Sequence, residues 1–202
     1  LASFIRFNTN ASDIPQISLA LIGRAVAPTG LSLDLDTRPG DQGAIEATLG
    51  LHSSVVLEIY AVQASALTNY ELTLALDPRL VFTGASAQGG LLDAAGNTVI
   101  LESQTEDNIL TIGATTTQTA VPANGDGLLA RIDLTGTAAF DSETLAALTL
   151  TRAILHNGDG GPPDTLNLSL SAQVQGRQAL AEDLDGDGKV DLLDTVRMVE
   201  HI

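Results

Sequence analysis

Alternation of apolar and polar residues at every second position is the feature that most narrows what this chain can become. It recurs in Ser32–Asp36, Val55–Val62, Tyr70–Leu76, Asn108–Ala114, Leu128–Leu134, Ala147–Leu150 and Leu166–Leu170. Successive side chains of a strand point to opposite faces, so each run reads as a strand with one buried and one wet side. Turn-forming clusters lie between them: Arg38-Pro39-Gly40-Asp41, Asp77-Pro78-Arg79, Gln88-Gly89-Gly90, Ala123-Asn124-Gly125-Asp126-Gly127 and Asn157 through Pro163. Short strands in this number predict a mainly β protein, an antiparallel two-sheet sandwich with jelly-roll connections. With 202 residues, 44% of them hydrophobic, the chain has enough apolar surface for one such domain plus terminal appendages.

The last twenty residues follow a different rule. Asp183, Asp185 and Asp187 occupy positions 1, 3 and 5 of a twelve-residue loop, with the Lys189 carbonyl at 7, Asp191 at 9 and Asp194 at 12. That spacing surrounds Ca²⁺ with seven oxygens when the closing carboxylate is bidentate. Gly188 falls at position 6, where the chain turns sharply, and Val190 at 8 offers an apolar tie to a neighbouring loop. Five carboxylates this close repel one another, and a hard divalent cation relieves that repulsion. The following run, Thr195 to Ile202, reads as a helix. Leu193, Val196, Met198, Val199 and Ile202 give it more apolar surface than a lone short helix can hide.

The string Asp183 to Ile202 resembles one of the two duplicated halves of a dockerin, the calcium-binding module of cellulosome-type assemblies. In that family Asp closes the loop, as Asp194 does here, and the helix after it carries packing and partner-facing residues. The start of the chain, Leu1-Ala2-Ser3-Phe4-Ile5-Arg6-Phe7-Asn8, resembles the exiting helix of a second half. A short N-terminal helix with Leu1, Phe4, Ile5 and Phe7 on its apolar face is therefore expected. Between the ends, Leu76-Asp77-Pro78-Arg79-Leu80, Gly125 to Ile132, and Ser32 to Asp36 with Gly40-Asp41-Gln42-Gly43 make Leu31 to Val174 similar to the cohesin family. That resemblance implies a sandwich that binds dockerins or, in related modules, polysaccharide. It divides the chain into an N-terminal helix and extended arm (1–30), a cohesin-like sandwich (31–176) and a half-dockerin calcium loop and helix (177–202).

Composition excludes several functions. Twenty-five acidic against nine basic side chains give a net charge of −16, which argues against nucleic acid or an anionic membrane as partner. No run approaches the roughly 20 apolar residues that span a bilayer, so membrane insertion is not expected. The absence of Cys removes disulfides and thiolate chemistry. The chain opens without Met and shows no signal peptide, which fits a mature, processed chain at the cell surface or outside the cell. His52, His156 and His201 sit apart from any Ser or carboxylate at motif spacing, and Glu102 with Glu106 reads as solvated surface, so no enzyme is expected. A glycan platform of exposed rings is not available either, because there is no Trp and Tyr60 and Tyr70 sit in strand patterns as packing residues. Oxygen-rich turns at Asp34, Asp36 and Asp41, at Asn124 and Asp126, and at Asn157 and Asp159 read as side-chain turn chemistry ahead of further ion sites. Asn10 and Asn167 begin Asn-x-Ser triplets and are candidate glycan acceptors.

Two functions remain. The first is a non-catalytic, extracellular calcium-binding assembly module that joins copies head to tail, into filaments, through its terminal segments. In it Leu1, Phe4, Ile5 and Phe7 meet Val196, Val199 and Ile202 of another copy, and Ile17, Leu19 and Leu21 of the alternating segment Ile17 to Ile22 add as a strand to the neighbour's sheet. The alternative is a cohesin-type binding module for a dockerin-bearing partner or a polysaccharide.

Overall fold

The computed structural model describes residues 2–8, 16–22, 30–49, 53–117, 120–137, 145–158 and 160–176. Its elements in chain order are β1 (Ala2–Asn8), β2 (Gln16–Ile22), β3 (Gly30–Asp34), β4 (Glu46–Leu49), β5 (Ser54–Leu76), β6 (Leu80–Ser86), α1 (Leu91–Ala94), β7 (Val99–Glu106), β8 (Ile109–Thr116), β9 (Ala123–Gly136), β10 (Leu145–Asn157) and β11 (Asp164–Gly176). Strands β1 and β2 form an antiparallel two-stranded sheet of their own, and the other nine join in one hydrogen-bonded system folded into two layers.

The fold divides at β5. Its first half pairs with β3 and β9, and β9 pairs onward with β6. Its second half lies between β8 and β10, which continue to β7 on one side and to β11 and the short parallel β4 on the other. The sequence reads as two strands here, Val55–Val62 and Tyr70–Leu76, but the structure makes one strand of 23 residues with a bend between them. The bend needs left-handed backbone at two non-glycine residues, Gln63 (φ 57°) and Ala66 (φ 54°). Opposite it, the Gln63 N–H donates to Asp126 Oδ1 at 2.7 Å and the Ala66 N–H to Asn124 Oδ1 at 2.9 Å. Gly125 lies between them at φ 94°, where a side chain would be strained. Ala123 to Gly127 is thus not a free turn, as its composition suggests, but the bulged start of β9, shaped to follow the bend.

The core fills the space between the layers. Leu57 and Ile59 from the first half of β5, Leu72 and Leu74 from the second, Leu110, Ile112, Ile132, Leu134, Leu148 and Leu150 are all fully buried. They are the apolar members of the alternating runs, and burying each side chain stabilises the fold by about 2 kcal/mol. At the corner between β5 and β6, Asp77 accepts both Nε (2.7 Å) and a terminal nitrogen (2.6 Å) of Arg79. The same terminal nitrogen donates to the Leu145 carbonyl at 2.8 Å, tying the corner to β10.

The N-terminal helix expected over Leu1 to Phe7 is not formed: Ala2–Asn8 is a strand paired with Gln16–Ile22, in a register that sets Ile5 opposite Leu19 and Phe7 opposite Ile17. The physical reason is length and partner. A seven-residue helix is marginal in water, whereas Phe and Ile favour an extended backbone, and the alternating Ile17–Ile22 segment supplies a ladder to join. Ile17, Leu19 and Leu21 are in a strand, as their alternation requires. Leu1, Asn10 and the whole of 177–202, with Asp183, Asp185, Asp187, Lys189, Asp191, Asp194, Val196, Val199 and Ile202, lie outside the described residues.

Candidate functional site

The two layers present very different outer faces. On the layer of β7, β8, β5, β10 and β11, the outward residues can be followed row by row from the register. One row runs Glu102, Gly113, Glu71, Ile154, Thr165, and the next runs Gln104, Thr111, Thr73, Arg152, Asn167. A third adds Glu106, Ile109, Ala75, Thr149 and Ser171. The centre of this surface is flat, because Gly113, Thr111, Thr73 and Ala75 project little. Gly113 is not required by the backbone: a Cβ there meets only the Tyr70 carbonyl, at 4.0 Å. Its effect is to keep the middle of the face low. Ile100 and Ile109 stay 46% and 40% exposed on this side, beside the carboxylates of Glu102 and Glu106. Arg152 and Glu71 meet across β5 and β10 at 3.7 Å, each about half exposed, so little energy holds them together. Five strands span about 19 Å and seven residues along a strand about 20 Å. A surface of that size seats two helices, each about 10 Å across, side by side.

The other layer is closed. Asp34 on β3 stands opposite Glu58 on β5, and both are buried although they occupy outward positions. The Asp34 carboxylate accepts the backbone N–H groups of Asp36 (2.8 Å), Gln42 and Ala44 (3.2 Å), which curls the loop 36–44 around it. Glu58 accepts from the Tyr60 hydroxyl at 2.6 Å and from Arg131 Nε at 2.5 Å. Burial, reinforced by the adjacent Glu58 carboxylate, pushes the Tyr60 phenol far above its ordinary pKa and keeps it a donor. Asp41 is taken by the Ser32 hydroxyl and the Gly43 N–H, and Asp36 by Arg38, whose guanidinium holds the Asp36 carboxyl below its usual range. The early aspartates, like Asn124 and Asp126, therefore spend their oxygens on the chain itself. Among the described residues no group of three Asp, Glu, His or Cys is arranged to hold a metal.

Tyr60 and Tyr70 are buried, as their place in strand patterns requires, and the Tyr70 hydroxyl donates to the Leu129 carbonyl. Asn167 is exposed on β11. Sequence reasoning did not single out the open face itself. The usable signal was the polar half of each alternation, Glu71 and Thr73, Thr111 and Gly113, Arg152 and Ile154, which register alone brings into one surface. Strand β7 escaped notice because Ser103 and Thr105 occupy its inward positions, opposite Ile112 and Leu110, and blur the period.

No family model matches the sequence, and no curated protein matches it. Among solved structures, the non-cellulosomal cohesin of the hyperthermophilic archaeon Archaeoglobus fulgidus is 16% identical at a TM-score of 0.52, over 74% of this chain and 91% of that one. The third ScaC cohesin of Acetivibrio cellulolyticus, solved with the ScaB dockerin, is 16% identical at 0.54, over 74% of this chain and all of that one. A chain of a type I cohesin–dockerin complex from Clostridium thermocellum is 12% identical at 0.54, over 78% and 100%. At such identities the likeness is one of fold, and the fold of this chain is a cohesin-like β-sandwich.

Proposed function

We propose that this chain is a non-catalytic protein-binding module whose recognition surface is the open face of β7, β8, β5, β10 and β11, and whose partner is a dockerin-type helix pair. The flat centre carries the reading: Gly113, Thr111, Thr73 and Ala75 leave room for a helical partner's side chains, while Ile109, Glu102, Glu106 and Arg152 around it supply apolar anchors and charges. The structural neighbours support it, since two of them were solved in complexes with dockerins. Gly113→Arg plants a long side chain at the centre, and its Cβ meets only the Tyr70 carbonyl, at 4.0 Å, an ordinary contact. Surface plasmon resonance against a panel of calcium-loaded dockerins should show binding to the native chain and at least about a hundredfold loss in Gly113→Arg, equivalent to roughly 3 kcal/mol. No binding across the panel, or equal binding by the variant, removes the proposal.

The segment 177–202 is read as a calcium-binding half-dockerin on spacing alone: Asp183, Asp185, Asp187, Asp191, Asp194 and the Lys189 carbonyl would hold the ion, which supplies folding energy to the loop and helix. Calorimetry decides it, with Asp194→Ala expected to abolish calcium uptake. A chain bearing such a loop and a module of this fold belongs at the cell surface or outside the cell. Self-association is the second reading, favoured by the β1–β2 hairpin, which stands as a sheet separate from the sandwich sheets. Sedimentation of the full chain tests it, concentration-dependent oligomers being the expected result.

A further inference from the structure

Strand β11 is only half covered along its outer edge. Strand β4 pairs with it in parallel over Gln173–Gly176, and the Gln173 N–H donates to the Ile45 carbonyl at 2.7 Å. Ahead of that point, among the described residues, no strand pairs with the outer edge of Asp164 to Ala172. The burial of the inward-facing side chains changes at the same place. Ala172 and Val174 are fully buried, whereas Leu166, Leu168 and Leu170, on the same face of the same strand, are half-buried. The cause lies in the chain before β4. Carried backward, the β4 register would set residues 37–44 against Asp164–Ser171. Those residues instead curl onto the Asp34 carboxylate, and the Leu35 N–H closes the loop on the Ala44 carbonyl at 2.7 Å. Among the described residues, one strand's worth of backbone partners and apolar cover is therefore missing from this edge.

Strand β2 has the complementary need. Its seven residues, Gln16–Ile22, pair on one side with β1 and on the other with nothing among the described residues. A two-stranded sheet by itself is marginally stable in water and gains from a third strand. The segment carries no charge and alternates, with Ile17, Leu19 and Leu21 at every second position, the same period and nearly the same length as Leu166, Leu168 and Leu170 with their flanks. In a chain of net charge −16, an uncharged strand facing an edge whose only charged residue is Asp164 is the pairing with least repulsion.

We propose that the Asp164–Ser171 edge of β11 is an acceptor for strand β2 of a second copy of this chain, so that the β1–β2 hairpin of one copy extends the sandwich sheet of the next. The proposal rests on the self-association reading and names its joint. The second copy is the occupant because within one chain β2 and β11 lie in separate sheets with no ladder between them, which leaves the free edge of β2 for another copy. The contact joins two different surfaces, so it propagates from copy to copy unless the rotation closes a ring. Main-chain hydrogen bonds supply the attraction, and the leucines set which face turns inward.

The test exploits the absence of Cys in the native chain. Full-length Ser18→Cys is mixed, under mild oxidation, with full-length chains carrying Asn167→Cys, Ser169→Cys or Ser171→Cys, and the products are weighed by mass spectrometry. A mixed disulfide at one or two of these three positions, together with loss of oligomers in Leu19→Pro, is the expected result. A Pro in β2 removes a ladder donor, and about a tenfold rise in the concentration needed to associate is predicted. Oligomers that form without any mixed disulfide, or that form in Leu19→Pro at the same concentration as in the native chain, show that copies join elsewhere and overturn the proposal while leaving self-association intact. A chain that stays monomeric at all concentrations removes both. A double variant, Ser18→Cys with Ser169→Cys, that closes within single chains shows that β2 folds back on its own β11, and likewise overturns the second copy as occupant.

Discussion

The two halves of β5 place polar residues at the same alternate positions with opposite outcomes. Glu58 and Tyr60 point outward from the first half and are buried, while Glu71 and Thr73 point outward from the second and remain half exposed. One layer has closed its outer face with a carboxylate network and a curled loop. The other has kept its face open and flat. A polar residue on a strand is thus an anchor in one region and free contact surface in the other, and only the neighbours decide which.

The largest effect that would sharpen this contrast is expected at Arg131. Arg131→Ala leaves the buried Glu58 without its cation and should cost about 2–3 kcal/mol in urea denaturation, short of the full value for a buried pair because the guanidinium is partly wet. An unchanged midpoint would mean that the network is ornamental. Asp34→Ala comes next, at about 2 kcal/mol, since three backbone N–H groups lose a charged acceptor. Loop 36–44 should then become the first site of protease cleavage, and intact cleavage resistance would contradict the role assigned to Asp34.

Asp77 and Arg79 give a smaller, pH-dependent effect. The Arg79 guanidinium holds the Asp77 carboxyl below its ordinary value of 3.8, so the pair contributes stability above that pH and loses it as pH falls through the lowered value. Arg79→Ala should cost about 1 kcal/mol at neutral pH, and the gap to the native chain should close in acid. A gap that persists below that range would assign the cost to the Leu145 contact instead. Smallest of all is Thr73→Lys on the open face, expected to shift stability by less than about 0.5 kcal/mol while blocking the proposed partner. A large loss of stability there would show that the open face is structural after all.

Much of the sandwich can be read from period two, because alternation reports directly on burial at Leu57, Leu72, Ile112 or Ile132. The bend of β5 cannot, because Asn124-Gly125-Asp126 has the composition of a turn and only its pairing across from Gln63 and Ala66 reveals a bulge. The N-terminal strand was misjudged because Leu1, Phe4 and Ile5 also fit a helical stripe, and seven residues are too few to separate the two periods. Short β4 carries too few residues for any period to show. Of the open face, the parts were visible as outward residues, but their assembly depends on register across five strands, a property no single segment holds. The same limit hid Asp34 and Glu58, whose burial follows from each facing the other.

The sharing of β5 between layers also governs how the molecule comes apart. A strand that supplies the central ladder of both sheets cannot leave one of them without tearing the other, so the usual route by which a sandwich frays, sheet from sheet, is shut. Amide exchange from β8 and from β9 should therefore report the same opening free energy, that of the entire body, and a solvent-softened half-molecule should never accumulate. That is a mechanical property: a pull on the described sandwich meets both sheets at once through β5, and neither gives way ahead of the other.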